Sequence, residues 1–365
     1  MKHFMRIVLL TALLPYQLML HAEDHAMIVP QGPALMHPAP VHGIALSPDG
    51  KWAATGCEDH KLRLWDTATG KLHGEPLEHD GGVYPIAFSP DSSMVVGGSE
   101  KGAKLWEVAS GKLLTTLPHP GFVYSLAFRP DGLAVLCSSH DGPQAGTARL
   151  WAVPSGKLIS KIENKQRFYA VAFSPDGKIA AVSGNGNGAL LLDAVTGKSL
   201  GIELTHQGSV RSLSFSPDSA RLLTGSLDKT GRVWDVTTGK AITAPLEHLD
   251  QVRAAAFNPK GTSVLTGSMD QTARIWDAIT GQPLTPPLVH PTGVRCVAFS
   301  PDGKWAATGC YGNTAHVWDA AAGKALGEPI QHGGLVRAVV FSPDSQLLMT
   351  GSFDKTAWLW RITTK

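Results

Sequence analysis

Charge is scarce in this sequence, and it nearly cancels: charged residues make up 17% of the 365 positions and the formal net charge is +2. That balance sets up no whole-molecule field of the kind that nucleic-acid binding draws on. Long apolar runs are missing as well. The one candidate, Ile7 to Leu20, has 14 residues and is broken by Pro15, Tyr16 and Gln17, short of the roughly 20 that cross a bilayer as a helix. Cysteine is limited to positions 57, 137, 296 and 310, with none of the short paired spacings of a zinc or redox site. Free thiols and no metal are expected, and the compartment is left open. After residue 30 no polar window is long enough to read as a disordered tail. In place of all these stand 39 glycines and 25 prolines, the composition of a folded, turn-rich chain.

Residues 1 to 22, "MKHFMRIVLLTALLPYQLMLHA", carry Lys2 and Arg6, then the apolar run from Ile7 to Leu14, then Leu20 and Ala22 spaced as before a signal-peptidase cut. They read as a signal-peptide-like leader. Export to the periplasm or the exterior is expected, with the folded body at 23–365 and no membrane span once the leader is removed. An uncleaved chain would be cytoplasmic.

The body repeats itself. The prolines of "LSPDG", "FSPDS", "FRPDG", "FSPDG", "FSPDS", "FNPKG", "FSPDG" and "FSPDS" fall at 48, 90, 130, 175, 217, 259, 301 and 343, spaced 42, 40, 45, 42, 42, 42 and 42 apart. Self-similarity at such a period marks a repeat architecture. Each copy reads as four short strands. An alternating run such as "VRSLSF" is the first, and Ser-Pro-Asp-Gly turns the chain because proline presets φ and glycine accepts a left-handed backbone. "RLLTGS" is the second and "GRVWDV" the third. Glycines at 70, 111, 156, 197, 239, 281 and 323 then mark the turn into a fourth, such as "AITAPLEH". Strands this short, with hairpin turns between them, predict an all-β fold built of repeated sheets.

In its "SPDG" turns, its period and the pairs Trp65-Asp66, Trp234-Asp235, Trp276-Asp277 and Trp318-Asp319, the chain resembles the WD40 repeat family over residues 32 to 365. The resemblance implies a β-propeller with one four-stranded antiparallel blade per repeat. The eighth copy stops before its fourth strand. "GPALMHPAPV", Gly32 to Val41, aligns without a gap on "TPPLVHPTGV", Thr285 to Val294. An N-terminal strand is therefore expected to seal a closed eight-bladed ring, leaving no exposed sheet edge.

Histidine 11 residues before the turn proline and serine 9 after it, with aspartate close by, raise the possibility of a hydrolase triad. Their recurrence argues against it. In the resembling family the matching positions form a structural His/Ser/Asp/Trp hydrogen-bonded set inside each blade. Complete sets by that match are His119/Ser139/Asp141/Trp151, His206/Ser226/Asp228/Trp234, His248/Ser268/Asp270/Trp276 and His332/Ser352/Asp354/Trp360. Cys57, Lys101, Cys310 and Gly312 interrupt copies one, two and seven. Copy four loses every member, to Asn164, Gly184, Gly186 and Leu192.

The same resemblance implies a non-enzymatic, monomeric interaction platform without cofactor, binding partners where the fourth-to-first and second-to-third strand loops emerge. Six residues before each turn proline stand His42, Tyr84, Tyr124 and Tyr169, then Arg211, Arg253, Arg295 and Arg337. Just after the serine place stand Glu58, Glu100, His140 and Asn185, then Leu227, Met269, Tyr311 and Phe353. Arginine beside exposed apolar residues has the composition of an interface hot spot. It suits an acidic protein or peptide segment. Duplication of copies five to eight would leave the same pattern without a ligand. Copy three adds a longer second hairpin, "SSHDGPQAGTARLW", near Tyr124 and Tyr169. An alternative is an eight-bladed enzyme of the quinoprotein dehydrogenase type, to whose docking repeat "WDTATGKLHGEPL" is similar. The tryptophan such repeats place after Gly-Lys is absent from "GKLHGE", "GKLLTT" and "GKALGE".

Overall fold

Every run that alternates between turn signals becomes a strand. The computed structural model describes residues 27–142, 145–184, 186 and 188–363, and the leader expected at 1–22 lies outside them. Eight sheets form. The first is Val41–Leu46, Trp52–Cys57, Lys61–Asp66 and Leu72–Glu78, antiparallel in chain order, blades 2 to 7 repeat that order, and blade 8 repeats its first three strands. First strands of neighbouring blades touch one another around the ring, so they wall a central channel. The arrangement is the eight-bladed β-propeller expected.

Apolar side chains pack between blades. Ala54, Leu62, Leu64 and Leu77 of blade 1 share one cluster with Phe88, Val95 and Trp106 of blade 2. Such interblade cores make each sheet dependent on its neighbours, since a lone four-stranded sheet would leave both faces wet. The ring closes as the alignment predicted, and further upstream as well. Met27–Pro30 and Leu35–Met36 both pair antiparallel with Thr356–Thr363, the third strand of blade 8. Leu35 is buried with Met349 and Leu359 of blade 8 and with Val41 and Trp65 of blade 1.

Two details depart from the simple pattern. In blades 5 to 7 the fourth strand shrinks to Leu246–Glu247, Leu288–Val289 and Ile330–Gln331, with isolated bridges such as Trp234 to Ala241. Pro245, Pro287 and Pro329 immediately precede these pairs, and a proline without its N–H is tolerated only on an edge. In the turns, three copies carry serine where glycine is expected, and Ser92, Ser219 and Ser345 take φ of 63, 62 and 61°. Each hydroxyl compensates by accepting the backbone N–H of Asp49, Asp176 or Asp302 in the preceding blade, all at 3.0 Å.

Candidate partner-binding site

The residues at the channel mouth owe their direction to a repeated irregularity. Antiparallel pairing slips between Val210 and Ser212, Val252 and Ala254, Val294 and Cys296, and Val336 and Ala338. Arg211, Arg253, Arg295 and Arg337 are the skipped residues. His42, Tyr124 and Tyr169 sit at the same slip in their blades. A bulge leaves one residue unpaired and re-aims its side chain, and here the aim is into the channel.

There the four arginines meet Tyr124, Ser125, Tyr169 and Ala170 around one cavity of about 200 Å³. The Arg211 guanidinium stacks on Tyr169, 3.5 Å from the ring centroid, and Arg253 Nη2 donates to Gln251 Oε1 at 2.6 Å. Nε of Arg211 and of Arg253 is buried without a hydrogen-bond partner. Among the described residues, the arginines paired with carboxylates are Arg63, Arg129, Arg149 and Arg221, none of them at the mouth. The crowding shows in the acid–base equilibria. Burial, then the neighbouring Arg295 charge, lowers the Arg337 pKa to about 10. Burial alone would raise the Tyr124 pKa, but the charges of Arg295, Arg211 and Arg337 outweigh it and hold the phenol below its ordinary value. Among the described residues that line the cavity none is acidic, and a carboxylate described at the mouth, Glu58, pairs with His42 at 3.8 Å.

The apolar residues expected beside these arginines stand around the cavity rather than in its wall. Tyr311 lies under Arg295 at 5.9 Å, Phe353 is 38% exposed and packs edge-on against His42, and Leu227 and Met269 are half-buried. Tyr84 is also outside the cavity, tilted against His42 at 4.3 Å and edge-on to Phe122 at 4.5 Å. The longer hairpin of copy three contributes a residue the arginine pattern did not single out. His140 stacks on Tyr124 and meets Tyr169 edge-on, each with centroids 4.9 Å apart.

Beneath the mouth, within the blades, the recurring polar residues form relays, but the serine is not the link expected. In blade 5, Asp228 Oδ2 lies 2.8 Å from His206 Nδ1, His206 Nε2 lies 2.6 Å from Thr224 Oγ1, and Trp234 Nε1 donates to that hydroxyl at 2.9 Å. Thr224, two residues before Ser226, joins imidazole to indole. Ser226 instead donates to the Gly208 carbonyl at 3.1 Å and accepts the Asp228 N–H at 3.2 Å. Blade 6 repeats the relay with Asp270, His248, Thr266 and Trp276, and blade 8 with Asp354, His332, Thr350 and Trp360, while Ser268 and Ser352 bond to backbone.

Where the threonine is missing the wiring changes. Blade 3 has Cys137 there, so Trp151 Nε1 donates directly to His119 Nε2 at 3.2 Å. Ser139 then bridges His119 Nδ1, at 3.1 Å, to Asp141 Oδ1, at 2.6 Å. Among the described residues, that is the blade in which the serine carries the relay. Blade 2, with Gly97 in the same place, also bonds Trp106 directly to His79. Blade 4, stripped of the whole set, holds a cavity of about 250 Å³ lined by Asn164, Gly184, Gly186 and Leu204.

These buried imidazoles set a pH dependence. Burial, aided by Arg63, lowers the His37 pKa from 6.5 to about 4, and burial lowers His79 and His119 to about 3, with Lys104 and Arg149 adding to the effect. All three bind protons more readily unfolded than folded. Their contribution to stability is therefore complete above pH 6.5 and is lost as pH falls toward the folded values. Urea midpoints should decline steadily from about pH 6.5 to about pH 4. A flat profile across that window would show that these histidines are not held neutral.

The comparisons agree with this architecture. The family model described as IFT122 first beta-propeller matches residues 167–365, and the model described as WD domain, G-beta repeat matches 35–66, 70–107 and 111–142. The chain is similar to WD repeat-containing protein 1 of Mus musculus, 32% identical over 115 residues that cover 28% of this chain and 19% of that protein. It is also similar to actin-interacting protein 1 of Drosophila melanogaster, 33% over 111 residues, covering 28% and 18%. Similarity to the small ribosomal subunit protein RACK1z of Arabidopsis thaliana is 34% over 82 residues, covering 22% and 24%. The matched segments thus span no more than about a quarter of these relatives. Among solved structures, the crystal structure of the computationally designed Ika8 protein superposes with a TM-score of 0.79 at 25% identity, covering 92% of this chain and 100% of that one. With eight four-stranded blades in a ring and a family model matched over its whole second half, this chain belongs to the WD40 repeat family of β-propellers.

Proposed function

We propose that the chain is a non-enzymatic scaffold whose channel mouth seats an acidic segment of a partner protein, with the surrounding apolar residues holding that segment's side chains. The observation that carries this reading is the set of four guanidiniums around one cavity with no carboxylate among its lining residues. Bringing like charges together out of water costs free energy, and a bound anion returns it. The WD-repeat relatives favour a scaffold, and one of them is named for its interaction with actin. Partner chemistry here is argued from the mouth itself.

The test uses a labelled peptide rich in Asp and Glu with interspersed leucines, titrated at low and at moderate salt. Replacing Arg211, Arg253, Arg295 and Arg337 together by serine should weaken binding by about 100-fold or more, mainly through slower association, and flatten its salt dependence. Phe353→Ala and Met269→Ala should mainly speed release. A folded quadruple variant that binds the peptide as the parent does, or a parent that ignores the peptide at low salt, would overturn the reading.

A further inference from the structure

Blade 7 differs from its neighbours at three places that converge on one point. In blades 5, 6 and 8 the histidine Nδ1 is met by an aspartate Oδ2 at 2.8, 2.9 and 3.1 Å. Blade 7 has Gly312 where that aspartate stands. His290 is 3% exposed, and its Nδ1 has no hydrogen-bond partner. The same blade carries Cys310 in the place of Ser226, Ser268 and Ser352, and His316 in the place of Arg232 and Arg274. One donor atom from each of His290, Cys310 and His316 lies within 4.8 Å of the other two, and all three residues are buried. The sequence predicted no metal site because positions 290, 310 and 316 follow no paired spacing. The exit of the Leu288–Val289 strand and the two strands Trp305–Cys310 and Thr314–Asp319 bring them together.

We propose that His290 Nδ1, Cys310 Sγ and a ring nitrogen of His316 bind one Zn²⁺ ion inside blade 7, in place of the carboxylate that the other blades keep there. Two imidazoles and one thiolate are the donor set of a d¹⁰ transition metal rather than of calcium or magnesium. Bond lengths of 2.0 to 2.3 Å in a tetrahedral site put ligand atoms about 3.5 Å apart, so side-chain rotation must close the cluster by about an ångström. The outer contacts suit this. His290 Nε2 lies 2.7 Å from Thr308 Oγ1 and His316 Nε2 lies 3.2 Å from Thr314 Oγ1, which fixes each ring through one nitrogen. Thr308 Oγ1 has two lone pairs, one taken by the Trp318 indole at 3.0 Å and one able to accept from His290 Nε2 in its protonated tautomer. It is that tautomer, with the Nδ1 lone pair free, that metal binding selects. On binding, the metal displaces the Cys310 thiol proton, which passes to solvent. A water completes the tetrahedron.

Co²⁺ supplied to the full chain during expression reports on this site, because a cobalt–thiolate bond gives a charge-transfer band that histidine or carboxylate sites lack. The expected result is one metal ion per chain, retained through gel filtration, with that band present. Cys310→Ser and His316→Arg each restore the residue found in blades 5 and 6, so the fold is preserved. Each should lower metal affinity by more than about 100-fold, the upper end of the loss from removing even an outer-shell partner. Cys57→Ser, at the same place in blade 1, should leave band and stoichiometry unchanged. Absence of the band in the parent chain, or its survival in His316→Arg, would overturn the proposal.

Discussion

A chain starting at residue 38 should lose its cooperative thermal transition or aggregate, whereas a chain starting at residue 27 should melt as the full chain does. Cutting at 38 removes both N-terminal strands that pair with Thr356–Thr363, leaving it only Leu347–Ser352, and with them the Gln31 N–H bond to the Leu359 carbonyl at 2.7 Å and the Arg361 Nε bond to Gln31 Oε1 at 2.7 Å. Leu35 leaves the joint core of blades 8 and 1, and His37 leaves Thr55 without the imidazole 2.8 Å away. Lost burial of one leucine costs about 2 kcal/mol and a stranded buried polar partner about 1 to 3 kcal/mol. The exposed edge then offers its unpaired N–H and C=O groups to another chain. Calorimetry with size-exclusion chromatography reads both effects. An unchanged melting temperature for the shorter chain would show that blade 8 does not need this seal.

The second large effect separates two neighbours in one strand. Thr224→Val keeps shape but removes the hydroxyl serving both His206 and Trp234, stranding two buried groups and costing about 2 to 5 kcal/mol. Ser226→Ala removes bonds to backbone only and should cost about 1 kcal/mol. In blade 3 the order should reverse, with Ser139→Ala severe, since there the serine joins His119 to Asp141. Urea denaturation of the three variants decides it. Equal losses for Thr224→Val and Ser226→Ala would refute the relay as described.

That contrast also shows how far the residues could be read without coordinates. Period, turn chemistry and the missing eighth outer strand were legible because each recurs or fails to recur at a countable spacing. The choice between Thr224 and Ser226 was not, because residues two apart share one face of a strand. Reach from the histidine, not register, selects between them. Arginine at a fixed place before the turn was visible, but the bulges that aim it into the channel leave no mark in an alternating pattern. Leu227, Met269 and Phe353 adjoin the arginines in the repeat register, yet they end outside the cavity wall. His290, Cys310 and His316 come from a loop exit and two different strands, a convergence no linear spacing encodes.

The seal between Met27 and Thr363, 336 residues apart, gives the arginine cluster a status that a site on one hairpin would not have. Each of its four cations belongs to a different blade, and their mutual distances are set by the circumference of the ring. A nascent or clipped chain carries the same side chains at a lower charge density. A ligand seated there as proposed would therefore distinguish a closed ring from an open one. By thermodynamic linkage, any ligand that spans several of those blades binds the closed ring in preference to the open one, and so acts as a hoop that holds the seal shut.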